Sequence, residues 1–252
     1  MFRFYSLVIS LLLLISSSAS AANSLPAANA TPLDKQAVEK IIHDYLLQNP
    51  EILVEAAQAL QKKQLQQQKL QQQDLIKRHA AKLFFNPGDP VAGNPKSKQV
   101  IVEFFDYNCG YCKRMNRDTQ SLLKSKPNIR YVYKEYPILS QSSMQAARAA
   151  LAVHQLYPGK YMEFRNLLLS QIGNVSEKTL PKSAKELGLD WGKIQEAMDS
   201  DAVKKQLSEN IRLAGQLGIR GTPTFVIGNT IYRGIQSEKI LIKALKEASS
   251  KS

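Results

Sequence analysis

Phe104 to Met115 reads FFDYNCGYCKRM, and the Cys109-Gly110-Tyr111-Cys112 segment inside it holds the only two cysteines of the chain. The apolar run Val100–Phe105 ends just before this segment, and a stretch with helical spacing begins just after it. A bridge across so short a loop restricts the unfolded chain by only about 2 kcal/mol, against about 4.7 kcal/mol for a 100-residue loop, so the pair is poorly placed as a staple. At the first turn of a helix, unpaired backbone N–H groups and the positive end of the macrodipole stabilise an anion. The spacing therefore predicts that Cys109 is the more acidic, outward-facing thiol, set up for disulfide exchange.

Residues 1–22 have the build of a secretory signal: Arg3 as the basic n-region, an apolar core from Leu7 to Ile15, and small residues ending in the A-x-A pattern of Ala19 and Ala21. The alternative, a membrane anchor, is disfavoured because the apolar stretch falls short of the ~20 residues a spanning helix needs. Export suits a dithiol that cycles through a disulfide, and a bacterial periplasm, with envelope association as a variant, is the expected location. The 252 residues, less the signal, suffice for one core domain and an appendage. The net charge of +13 loses only Arg3 with the signal, and its lysines are scattered among acids through helical segments. That pattern reads as a solvated surface, with no nucleic-acid motif behind it.

Residues 23–33 are rich in Ala, Asn and Pro and read as a disordered leader. Asp34 is placed to cap a first helix, and Asn49-Pro50-Glu51 signals a second, running to about Phe85. Beyond Leu60 this helix is rich in glutamine, and Leu60, Leu65, Leu70 and Leu75 fall five apart, so they drift around the helix instead of forming a heptad seam. Residues 34–85 have too few apolar positions to bury alone; self-association through this helical arm is favoured over a polar spacer. A turn-rich boundary over residues 86–95 leads to a catalytic domain expected to begin near Lys96 and to extend to residue 252. Within it the pattern gives a strand ending at Phe105, the dithiol helix to about Lys126, and a strand from Ile129 to Tyr136. Helices follow over about residues 140–200, then a helix to Leu217, a hairpin turning at Gly228 and Asn229, and a last helix.

That α/β order, with CxxC after the first strand and Thr222-Pro223 before the third, resembles the thioredoxin fold, and the helical insertion makes it similar to the DsbA-like family. The resemblance covers about Lys96 to the C-terminus, and the FFDYNCGYCKRM stretch is its most specific part. CxxC also occurs as half of a zinc site, but no second cysteine pair exists, and His43, His79 and His154 are scattered along the chain, so no metal or other cofactor is expected beyond the redox pair itself. In the family the proline matching Pro223 is cis and lies beside the dithiol, where client chains pair with the neighbouring backbone, and the residue matching Thr222 tunes redox behaviour. Glu103 stands where the fold has a buried acid, and Lys134 where a partner lysine would fall. The resemblance implies that the two form a proton relay to Cys112.

The most oxidising members carry Pro-His between the cysteines; Gly110-Tyr111 resembles the dimeric disulfide isomerases instead. Without the imidazole, the reduction potential is expected between about −120 mV and about −270 mV, the values of DsbA and thioredoxin. The implied protein is an exported thiol–disulfide oxidoreductase leaning to isomerase, a homo-oligomer with a dimer favoured. Its partners would be unfolded or misfolded exported proteins and a membrane protein that resets the dithiol. The competing readings are a dedicated oxidase or reductase of the same fold and a client-binding chaperone of the envelope.

Overall fold

The computed structural model describes residues 34–176 and 178–250; the expected signal and leader lie outside them. Five strands form one mixed sheet: β1 (Val91–Gly93), β2 (Val100–Phe105), β3 (Arg130–Glu135), β4 (Thr224–Ile227) and β5 (Thr230–Arg233), in the order β1-β3-β2-β4-β5. β2 and β3 are parallel, and the other pairs are antiparallel. Strand residues alternate between faces. Ile101, Glu103 and Phe105 therefore point to one layer, and Val102 and Phe104 to the other.

The first layer is covered by α4 (Gly110–Ser125), by the inserted helices α5 (Gln141–Leu156) and α6 (Tyr161–Ser170), and by α10 (Glu238–Ser249). A 3-10 turn (Pro158–Lys160) joins α5 to α6, and α7 (Thr179–Glu186) and α8 (Trp191–Met198) complete the insertion. The second layer takes its buried side chains from α9 (Asp201–Gln216), Leu217 and Ile219, together with Ile76 and Leu83. Gly228 closes the β4–β5 hairpin at φ +55°, a left-handed conformation that glycine adopts without a Cβ penalty.

The N-terminal helices are α1 (Lys35–Gln48), whose N-cap Asp34 accepts the Gln36 N–H, α2 (Glu51–Arg78) and the short α3 (Ala80–Phe84). The helix expected to continue to Phe85 is thus interrupted at His79, between two segments that bury Ile76 and Leu83. The chain divides into two compact units between Ala59 and Leu60, a boundary that falls within α2. The sheet also begins ahead of the expected start near Lys96: Val91–Gly93 pairs antiparallel with β3. No helix among the described residues is long and apolar enough to cross a membrane.

Candidate active site

β2 delivers the chain to the edge of the first layer, and Asp106 turns it. The buried Asp106 carboxylate accepts the N–H groups of Asn108, Ile138 and Leu139 and the Ser143 hydroxyl at 2.7–3.0 Å, tying the strand end to the start of α5. Asn108 adds bonds to Ser140, Ser142 and Ser143 and accepts the Val175 N–H at 2.6 Å. The turn is therefore fixed before α4 begins.

Cys109 is the N-cap of α4, and its Sγ accepts the Cys112 N–H at 3.4 Å. It also lies 3.2 Å from the Thr222 carbonyl oxygen, to which the protonated thiol donates. The Thr222–Pro223 peptide is cis and leads straight into β4, so the structure brings Thr222 and Pro223 against the dithiol. Hydrogen bonding from the Cys112 thiol, opposed by burial and helped by the surrounding backbone N–H groups, lowers the Cys109 pKa to about 6. Burial, then the bond to Cys109 and the charge of Glu103, push Cys112 far above the ordinary thiol range. The helix start thus separates two chemically identical residues into a more acidic thiol and one held protonated. The expected outward-facing position of Cys109 needs correction: it is only 7 % exposed, against 0 % for Cys112, with the Thr222 carbonyl lying against its Sγ. Gly110 and Tyr111 form the exposed first turn, with the Arg114 guanidinium 5.7 Å from the Tyr111 ring centroid.

Glu103 lies behind the dithiol and is fully buried. Its Oε2 accepts the Tyr131 hydroxyl at 3.0 Å and Arg165 Nη2 at 3.3 Å, while Oε1 has no protein hydrogen-bond partner among the described residues. Burial raises its pKa, and Arg165, followed by the Tyr131 bond, pulls it back down. Lys134 is not its partner. In the parallel register Glu103 stands beside Tyr133, so Lys134, one residue on, points to the opposite face of the sheet. There it pairs with the buried Asp89 and donates to the Lys82 carbonyl at 2.7 Å. A relay through Glu103 and Lys134 is therefore not assembled.

Arg165, which belongs to no motif in the sequence, takes that place. It is fully buried, donates to Asn116 Oδ1 at 2.7 Å, and lies 4.4 Å and 4.1 Å from the ring centroids of Phe105 and Tyr133. A signal was present: Tyr161, Phe164, Arg165 and Leu168 recur at the spacing of one helix face, and a cation on an apolar stripe is seldom buried without a partner. Nearby, Glu135 accepts Tyr107 and Tyr161 hydroxyls at 2.8 Å each, and burial raises its pKa to about 8. Among the described residues no three His, Cys, Asp or Glu side chains converge in a way that could hold a metal.

The arrangement supports thiol–disulfide exchange, and comparison with known proteins points to the same chemistry. Residues 100–246 match the DSBA-like thioredoxin domain, and residues 34–74 match the copper resistance protein ScsC N-terminal domain. A thioredoxin-like oxidoreductase from Silicibacter pomeroyi is 39 % identical, with a TM-score of 0.65 over 68 % of this chain and 98 % of that one. A linker-deletion mutant of Proteus mirabilis ScsC is 27 % identical, with a TM-score of 0.67 over 92 % of this chain and 100 % of that one. A Na(+)/H(+) antiporter, NhaA 1 of Salinispora arenicola, is 28 % identical over 162 residues, 64 % of this chain; the chain spans only 24 % of that protein's length.

Proposed function

The chain belongs to the DSBA-like thioredoxin-domain family of disulfide oxidoreductases, and from that premise we propose that it forms and reshuffles disulfides in exported proteins, leaning to isomerisation. The observation that carries this reading is the acidic Cys109 at the start of α4, facing the Thr222 carbonyl with Cys112 buried behind it.

In the reduced protein the Cys109 thiolate attacks one sulfur of a client disulfide. A mixed disulfide forms, and the other client sulfur leaves as a thiolate. If that thiolate attacks the client sulfur of the mixed disulfide, the original bridge re-forms; if a different client thiolate attacks it, a new client bridge forms and Cys109 is released unchanged, which is isomerisation. If Cys112 attacks Cys109 instead, its proton passes to a base, and Glu103 Oε1 is the carboxylate oxygen left without a protein donor. The client leaves reduced and the protein oxidised. Run backwards, the same steps oxidise a client dithiol. Gly110-Tyr111 and Thr222 favour the isomerising balance, with a potential between those of DsbA and thioredoxin. A dedicated oxidase is the competing reading, since a stabilised Cys109 thiolate favours the reduced protein and hence its oxidising power.

Trapping thiols in intact cells with an alkylating reagent separates the two. Mostly reduced Cys109 and Cys112, together with refolding of a scrambled substrate by the purified protein, are the expected results. A fully oxidised pool with no activity on scrambled substrate would overturn the isomerase lean in favour of an oxidase. The periplasm, unfolded or misfolded clients and a membrane protein that resets the dithiol belong to the same proposal.

The N-terminal helices belong to it as an assembly device. α1 buries no side chain, and Ile41, Ile42, Tyr45, Leu53 and Val54 are all more than half exposed. Apolar surface of that extent is costly in water, and a second copy, giving a homodimer, is the occupant proposed. Deleting residues 23–59 leaves the thioredoxin-like unit whole. Light scattering should then report a fall from oligomer to monomer, and an unchanged oligomeric mass would contradict the assembly role.

A further inference from the structure

A groove of about 770 Å³ runs between α4 and α6, directly beyond the dithiol. Its cations are Lys113, Arg114 and Arg117, and Leu167, Leu169 and Leu187 contribute apolar lining. Lys113 is committed to the chain itself, donating to the carbonyls of Gln171 (2.8 Å) and Gly173. Arg114 is exposed, with its guanidinium 5.7 Å from the Tyr111 ring centroid, and neither it nor the exposed Arg117 has an acid or hydrogen-bond partner among the described residues. Glu163, the one acid on the lining, is already neutralised by Lys160 at 3.0 Å. The groove therefore carries positive charge with no acid paired to it among the described residues.

Resting on the oxidoreductase reading above, we infer that this groove selects clients carrying acidic residues a few positions from the reacting cysteine. The reach follows from backbone geometry. Arg114 and Arg117 lie five and eight residues along α4 from Cys109, about 8 Å and about 12 Å at 1.5 Å per helical residue. An extended client rising about 3.3 Å per residue covers those distances in roughly two to four residues. Carboxylates at those positions meet the two guanidinium groups, which pair with carboxylates in a forked geometry. Exposed charges act mainly on encounter, so the preference belongs in the association rate and weakens with salt.

The test uses the full reduced protein and disulfide-bonded peptides of one host sequence, with neutral, glutamate or lysine residues two and four positions from the reacting cysteine on either side. Exchange rates are divided by those of the same peptides with dithiothreitol, which removes the effect of flanking charge on the peptide's own sulfur. The glutamate peptide should react about tenfold faster than the neutral one at low ionic strength, the lysine peptide more slowly, and the difference should shrink in high salt. Arg114→Gln/Arg117→Gln should abolish the preference. Lys239→Gln should keep it: this exposed residue stands beside Glu238, which bonds Ser125 at the far end of α4. Equal rates for all three peptides, or a preference that survives the double substitution, would overturn the inference and leave the oxidoreductase reading intact. A protein that exchanged with none of them would overturn both.

Discussion

Replacing Cys109 by serine lowers client disulfide exchange by at least about 10³-fold, equivalent to about 4 kcal/mol in the activation barrier. The size follows from what remains. Serine has no exchangeable sulfur, and Cys112, the one other cysteine in the chain, is fully buried, with its thiol held far above the ordinary range. No second sulfur can reach a client and ionise near neutral pH. Cys112→Ser leaves the attack intact and removes the resolving step, so a mixed disulfide with client protein should accumulate and be visible on a non-reducing gel. Activity of Cys109→Ser within a few-fold of the parent would mean that exchange is not run from this helix start.

Replacing Arg165 by methionine destabilises the folded protein by about 3–5 kcal/mol near neutral pH, because it leaves the fully buried Glu103 carboxylate without its cation. The pH dependence identifies the cause. Burial already raises the Glu103 pKa, with Arg165 the main opposing influence, so removing the guanidinium raises it further. A carboxyl whose folded pKa lies above its unfolded one favours the folded state below the unfolded pKa, and that contribution is lost as pH rises through the folded pKa. The deficit of Arg165→Met should therefore be largest at neutral pH and above, and shrink as pH falls towards the ordinary carboxyl range. Glu103→Gln placed on top of it should recover much of the loss. Urea unfolding at pH 7 and pH 5 measures both. A deficit that is the same at the two pH values and is not recovered by Glu103→Gln would show that packing against Phe105 and Tyr133, not charge pairing, is what Arg165 contributes.

Sequence and structure agree most closely where local chemistry decides. The run Val100–Phe105, the cysteine-capped helix to Ser125 and the Gly228 hairpin each announce themselves within a dozen residues, through apolar continuity, a cap and a left-handed glycine. They part where tertiary pairing decides. Val91–Gly93 is too short and too close to glycine and proline to read as a strand, and it exists because β3 offers it an edge. The break at His79 interrupts a stretch whose helix propensity gives no warning. Lys134 lay in the right strand for a partner to Glu103, but strand register placed it on the wrong face, and the cation came from Arg165, 62 residues along the chain. Such a pairing becomes visible only once α6 is laid over the sheet.

The proposed exchange chemistry depends on the acidity of one sulfur. Alkylation of Cys109 in the reduced wild-type protein, followed against pH by mass spectrometry of the peptide that carries it, should rise to half its maximum near pH 6, the value at which the helix start and the Cys112 thiol hold it. Roughly ten thiolates for each thiol would then be present at pH 7. A half-rise near pH 9, where an unperturbed thiol ionises, would contradict the assignment of Cys109 as the attacking group.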